Sequence, residues 1–269
     1  MAITKKANMI VPEVFGDMVQ AEFKGKLVIG DFAVTDTNLE GNAGDTIHFP
    51  KYKALGDASD LTEGTAMDTE ILSTEDSSAK VKEAGKAVEI SDSAQISALG
   101  NPVQEATRQL GIIVARKIDK DLVDEVVTNC PVARQVREGT TYGEMVAKAK
   151  ALWGDAPEEI AALLVNSAKY AELLTDALFT DNTKYNADVM VKGEIGRILG
   201  VPVVLTDRVP AKKSIMLERG ALAYITKRQP QTETDRDILA RTTVVATNVH
   251  YAVKLIKEDG VAVIDETAV

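Results

Sequence analysis

Three glycines stand as Gly193-x-x-Gly196-x-x-x-Gly200 in the stretch GEIGRILGVPVVLTDRVP, and glycine-rich loops can cradle phosphate. A dinucleotide-binding loop runs strand, glycines, helix, so that the helix N-terminus faces the pyrophosphate. Here the expected order is reversed. Residues 189–199 read as a helix, Gly200 as the left-handed residue that closes it, and VPVVLTD (201–207) as a strand. The glycine spacing also fails, and no GxxxxGK followed by Ser or Thr occurs anywhere in the chain. Gly200 is therefore expected to be a structural turn with positive φ and no phosphate contact.

Other reactive side chains do not assemble either. His48 and His250 lie far apart, each on an expected strand, with no second His or Cys at ligand spacing. Asp57-x-x-Asp60-x-x-Glu63-Gly64 lacks the oxygen spacing of a calcium loop. Cys130 precedes a proline with no base suggested nearby and reads as a structural thiol. No GxSxG occurs. Glu233, Asp235, Arg236 and Asp237 form a dense charge cluster, which is either an ion network between subunits or a solvated turn. No catalytic residue, metal or cofactor is expected.

Composition narrows the classes further. The 269-residue chain carries a net charge of −10, with 45% apolar residues and 4% aromatics. That is enough apolar material for a core, whereas the acidic balance and few aromatics argue against a nucleic-acid-binding surface. No apolar run reaches bilayer length and no signal peptide is read, so no membrane association is expected. One cysteine excludes an internal disulfide and fits a reducing compartment such as cytoplasm.

The elements that must position these residues begin with short apolar pieces over residues 1–40, an arm without a core of its own. GDTIHFPKY (44–52) reads as an edge strand with Ile47 and Phe49 on one face. An acidic excursion follows, and AKVKEAGKAVEI (79–90) returns as a strand with Val88 and Ile90 on one face and a bulge or kink at Gly85. Such a two-stranded ribbon is marginal alone and exposes two edges. It must lie either on a neighbouring subunit or on its own domain.

Asn101-Pro102 caps a long helix ending before Pro131, with an apolar stripe from Val103 to Val126. About 26 residues give a rod of roughly 40 Å. The pattern then becomes α/β: helix 142–153 closed by Gly154, strand 159–166, and a helix capped by Ser167. Hairpins are expected at Arg219-Gly220 and at Asp259-Gly260, flanking one long alternating strand that carries Val245, Val249, Tyr251, Val253 and Leu255.

The order of parts resembles the tailed-bacteriophage major capsid proteins of the Hong Kong 97-type fold, across essentially the whole chain. AGDTIHFPKYKALGDASDLTEG is similar to the start of that family's extended loop and KAVEISD to its return. GEIGRILGVPVVLTDRVP is similar to the link into the axial domain's sheet, and TETDRDILARTTVVATNVHYAVKLI to the final run through the peripheral domain.

The resemblance implies an α+β fold. Its parts would be an N-terminal arm (1–38), an extended β-hairpin loop (39–92), a peripheral domain with a spine helix (93–139), an α/β axial domain (140–226) and closing peripheral strands (227–269). It implies a structural protein whose main partner is itself, in pentamers, hexamers and an icosahedral shell, enclosing double-stranded DNA without sequence-specific binding. The intersubunit contact candidates are Ile47, Phe49, Val88, Ile90, Glu233, Asp235, Arg236 and Asp237. A portal and possibly separate scaffolding or decoration proteins are further expected partners. The expected location is the virion, after assembly in the host bacterial cytoplasm. Lys80, Lys82 and Lys86 lie near the loop's base, so the isopeptide cross-link of some relatives is not carried over. Two other readings stand beside this one: an encapsulin-like compartment shell, and a soluble α/β enzyme or ligand-binding protein.

Overall fold

A computed structural model describes Val19, Phe23 and residues 26–36, 44–52, 55–56, 60, 67, 69–175 and 196–268. In chain order its elements are β1 (Val34–Asp36), β2 (Thr46–Tyr52), β3 (Thr74–Lys80), β4 (Lys82–Ser91), α1 (Asp92–Ser97), α2 (Pro102–Asn129), β5 (Gln135–Val136), α3 (Tyr142–Ala151), β6 (Ile160–Val165), α4 (Ser167–Thr175), β7 (Arg197–Ile198), β8 (Val201–Leu205), β9 (Lys213–Glu218), β10 (Leu222–Asp237), β11 (Thr242–Leu255) and β12 (Val261–Asp265). They form a four-stranded sheet in the order β1-β10-β11-β4, a six-stranded sheet β5-β12-β9-β6-β8-β7, and the separate pair β2-β3.

Helix α2 starts as its sequence dictates. The Asn101 side chain accepts from the amides of Val103 and Gln104, and Pro102 takes the first turn, where its missing N–H costs nothing. Of the expected stripe, Val103, Ala106, Leu110, Val114, Ile118, Leu122 and Val126 are buried, and Ile113 is exposed. One core joins this face to both large sheets. Val114, Ile118, Leu122 and Val126 meet Tyr224 of β10, Val249 and Tyr251 of β11, Ile215 and Leu217 of β9 and Val263 of β12. Each such side chain contributes about 1.5–3 kcal/mol when withdrawn from water.

The six-stranded sheet is covered on both faces, which explains the unbroken apolar run of β6. Ala162 and Leu164 face the core beneath α2. Leu163 and Val165 face a second core, made with Met145, Val146 and Ala149 of α3 and Leu173 of α4. Asn166, not Ser167, caps α4, its Oδ1 accepting from the amide of Ala168 at 3.0 Å.

Further expectations are corrected. The helix expected to run to Leu199 is absent over its described end: Arg197 and Ile198 form β7, which pairs antiparallel with Pro202 and Val201. Leu199 (φ 49°) and Gly200 (φ 86°) both lie in the left-handed region, as the two central residues of a type I′ hairpin require. Gly200 thus has its positive φ for a different reason, and residues 189–195 lie outside the described residues. Leu199→Asn is expected to raise stability by about 0.5–1 kcal/mol and Gly200→Ala to lower it by about 1 kcal/mol, both read from urea unfolding.

The two expected hairpins at Arg219-Gly220 and Asp259-Gly260 are instead crossings between sheets. β9 and β12 belong to the six-stranded sheet, β10 and β11 to the four-stranded one. The crossings lock together: the amides of Ile256 and Lys257 donate to Ala221 O at 2.8 and 3.1 Å. A Cβ on Gly260 would lie 2.7 Å from Ala221 Cβ, so glycine is needed there for close approach.

The ribbon is also drawn differently. Its return strand is β3, within the acidic stretch, and β4 has left it to pair with β11. Finally, no bulge occurs at Gly85, which pairs in register with Asn248; a Cβ there would sit 2.8 Å from Thr247 O. The sequence signal was a backbone approach, not a ladder defect.

Candidate assembly surfaces

The ribbon pairs Ile47 with Ala79 and Phe49 with Ser77, and among the described residues both of its outer edges are unpaired. Ile47 and Phe49 are half-buried. Beyond the pair, Leu55, Met67, Ile71 and Leu72 are exposed, Ile71 at 87%. His48 Nδ1 lies 2.7 Å from Asp76 Oδ2 across the ribbon, both side chains well exposed. Val88 and Ile90 do not join Ile47 and Phe49. They pack beneath α2 with Val103, Leu110 and Val245 of their own chain.

Of the two settings expected for the charge cluster, the chain does not form the solvated turn: the cluster lies on a strand. Glu233, Asp235, Arg236 and Asp237 occupy the exposed end of β10, opposite Ala246, Val244, Thr243 and Thr242 of β11. β1 covers β10 only at Ala223–Ile225, so the outer edge of β10 beyond Ile225 has no strand partner among the described residues. Arg236 Nη2 reaches Asp92 Oδ2 at 2.9 Å within the chain, an exposed pair worth about 0–1 kcal/mol. Asp237 Oδ1 accepts from the amides of Leu239 and Ala240 and so holds the β10–β11 turn. Exposed Ile238 and Leu239 crown that turn. The amide of Asp92 donates to Arg241 O at 2.9 Å, bringing α1 and exposed Ile96 to the same end of the sheet.

Two buried carboxylates on α2 hold the outlying segments, and sequence reasoning missed both. Asp119, 2% exposed, accepts from the amides of Val28 (2.9 Å), Ile29 (3.1 Å) and Gly30 (3.1 Å). Burial pushes its carboxyl above the ordinary value, with the amides and Arg208 pulling the other way. Asp121 accepts from Lys117 Nζ at 2.6 Å, Lys82 Nζ at 2.7 Å and Tyr251 Oη at 2.5 Å. Charged residues beside an apolar stripe are ordinary in sequence; only the packing of segment 28–30 and β4 against α2 shows their role.

Burial alone would raise the Asp121 carboxyl, but Lys117, Lys82 and Tyr251 hold it below its ordinary 3.8. A depressed folded value gives stability that is present above the unfolded value and lost as pH falls through the folded one. Asp121→Asn is therefore expected to cost about 1–3 kcal/mol at pH 7, with the difference from wild type closing below about pH 4. Urea midpoints measured across that range check it.

His250 Nε2 lies 3.7 Å from Glu83, and Cys130 is buried with its thiol pushed up by burial. Among the described residues no group of three or more His, Cys, Asp or Glu is placed to hold a metal ion. No described helix is long and apolar enough to cross a membrane.

The comparisons with known proteins agree with one another. The sequence model of a family described as "Phage capsid protein" matches residues 74–264. The major capsid protein of Staphylococcus phage phiMR11 is 34% identical over 258 residues, 95% of this chain and 93% of that protein. Among solved structures, the capsid of cyanophage P-SCSP1u is similar with a TM-score of 0.73 at 12% identity, covering 90% of this chain and 89% of the other. A chain of Mycobacterium phage Che8 has a TM-score of 0.70 at 17% identity, covering 90% and 92%. These findings favour the capsid reading over the compartment and enzyme readings. With its family matched over most of its length and its fold shared with solved phage capsids, this chain belongs to the phage capsid protein family.

Proposed function

We infer that this chain is the major coat protein of a tailed-phage head, with pentamers and hexamers closing an icosahedral shell around double-stranded DNA. The observation that carries the reading is the β2–β3 ribbon, which pairs with no other strand among the described residues and leaves both edges free. A two-stranded ribbon is marginal in water and gains most by lying on another protein surface. A second copy supplies that surface in a shell.

In this reading residues 1–38 are the N-terminal arm, 39–92 the extended loop, 93–139 and 227–269 the peripheral domain, and 140–226 the axial domain. Ile47 and Phe49 are the ribbon's contact residues. Glu233, Asp235, Arg236 and Asp237 border a second contact, along the open edge of β10. Val88 and Ile90 serve the subunit's own core first. The net charge of −10 suits a wall that encloses DNA without gripping it. The role is structural, without catalysis. A portal closes one vertex, with separate scaffolding or decoration proteins as further partners, and assembly takes place in the host bacterial cytoplasm.

Hydrogen exchange tests the ribbon's role. Amides of Thr46–Tyr52 and Thr74–Lys80 are expected to exchange fast in the free subunit and at least about tenfold more slowly in assembled shells. Equal protection in both states would mean that the ribbon rests on its own subunit.

A further inference from the structure

On its return side the ribbon joins the body through a single residue. β3 ends at Lys80 and pairs with β2; β4 begins at Lys82 and pairs with β11. Val81 alone separates them, its amide donating to Asp45 O at 2.7 Å on the ribbon side. The first rung on the body side is Lys82 opposite Tyr251. Residues opposite each other in a sheet project from the same face, and here both side chains converge on one carboxylate. Lys82 Nζ and Tyr251 Oη reach Asp121 Oδ2 at 2.7 and 2.5 Å, while Lys117 Nζ holds Oδ1 at 2.6 Å. Lys82 also lies over the Tyr251 ring, 5.6 Å from its centroid.

We propose that Asp121 is a staple on the last rung of the β4–β11 ladder, and that this staple fixes the point at which the ribbon leaves the subunit. A ladder frays from its end, where each rung has a neighbour on one side only. The β4 side of the rungs that follow Lys82 offers little resistance: Glu83 is exposed and only loosely paired with His250, and Ala84 places no more than a methyl group against the buried Val249. Gly85, the next, is the residue that gives way most readily. Without the staple the exit point moves from Val81 towards Gly85, and the ribbon gains three more residues of free strand. There is room for this, because a cleft of about 550 Å³ lined by Asp45, Val81, Glu83, Lys227, Arg228 and His250 opens beside the junction. Asp121 is thus a positioning residue for the ribbon. The inference concerns the subunit's own fold and does not depend on what the ribbon touches.

Hydrogen exchange on the full-length soluble subunit tests it, comparing wild type with Asp121→Asn, the milder Tyr251→Phe, and Asp119→Asn as a control on the same helix. In Asp121→Asn those amides of residues 82–84 and 249–251 that bond across the β4–β11 ladder are expected to exchange about tenfold faster or more, with Tyr251→Phe intermediate. Amides 46–49 and 51–52 of the ribbon stay at wild-type rates, whereas those of 103–118 in the helix speed up only as far as the global loss of stability read from urea allows. Asp119→Asn leaves residues 82–84 unchanged. Wild-type rates at 82–84 in both Asp121→Asn and Tyr251→Phe would overturn the staple. Such rates beside faster exchange along the helix would make Asp121 a contributor to global stability only.

Discussion

Asp119→Ala is expected to destabilise the subunit by about 3–5 kcal/mol, because an unsatisfied buried donor costs about 1–3 kcal/mol and three lose their acceptor at once. The amides of Val28, Ile29 and Gly30 all point at this carboxylate, and water can recover only part of the loss, since Ile29 and Gly30 are buried. The cost is a large fraction of the total stability of a domain, about 5–15 kcal/mol. It should fall on one segment. Ile29 packs in the main core and β1 pairs with β10 just beyond it, so freeing residues 28–30 also exposes that edge of the sheet. Asp119→Asn keeps one acceptor oxygen and is expected to fall between alanine and wild type. Urea unfolding gives the cost and hydrogen exchange at residues 28–30 gives its location. A cost below about 1 kcal/mol for alanine would show that the carboxylate does not hold the segment.

Excising the ribbon is expected to have the opposite signature, with little effect on the subunit and complete loss of assembly. Thr46 and Lys80 are cross-strand partners, so an Asn-Gly turn in place of residues 47–79 closes a two-residue hairpin between them. The body loses little: among the described residues the ribbon's strands pair only with each other, and Ala79 is its one described residue that is fully buried. Unfolding stability is expected to stay within about 1 kcal/mol of the full chain. Shells, followed by light scattering, are expected to disappear, because under the proposed function each subunit loses the surface that crosses to its neighbour. Shells of normal yield from the excised chain would remove the ribbon from the assembly account.

What could be read from the residues divides along physical lines. Helix α2 was legible because its information is local: Asn101, Pro102 and the apolar stripe all lie within one element. The β7–β8 turn was half legible. Gly200 had to be left-handed, but the polar and apolar pattern before it does not distinguish the end of a helix from a short strand, and Leu199 at positive φ has no sequence signature. The crossings at Gly220 and Gly260 looked like hairpins because a turn residue between two alternating runs says that the chain reverses, not which sheet receives it. Asp119 and Asp121 were invisible for a similar reason. Asp119 is met about 90 residues away and Asp121 by Tyr251 130 residues away, on elements whose packing no local pattern sets, and the one local partner, Lys117, looks like an ordinary surface pair. The ribbon itself was expected, but its return strand was placed one strand too late. TEDSSAK has little apolar character, and what makes it a strand is pairing with Thr46–Tyr52.

The central claim is that copies of this chain close into a shell, and electron microscopy of the purified full-length protein under assembly conditions tests it most directly. The account predicts closed particles with walls made of this fold repeated in fives and sixes, and with the β2–β3 ribbon of each copy lying across a neighbour. A chain that stays monomeric at every concentration and salt tried, while folded and with the ribbon seated on its own subunit, would contradict it.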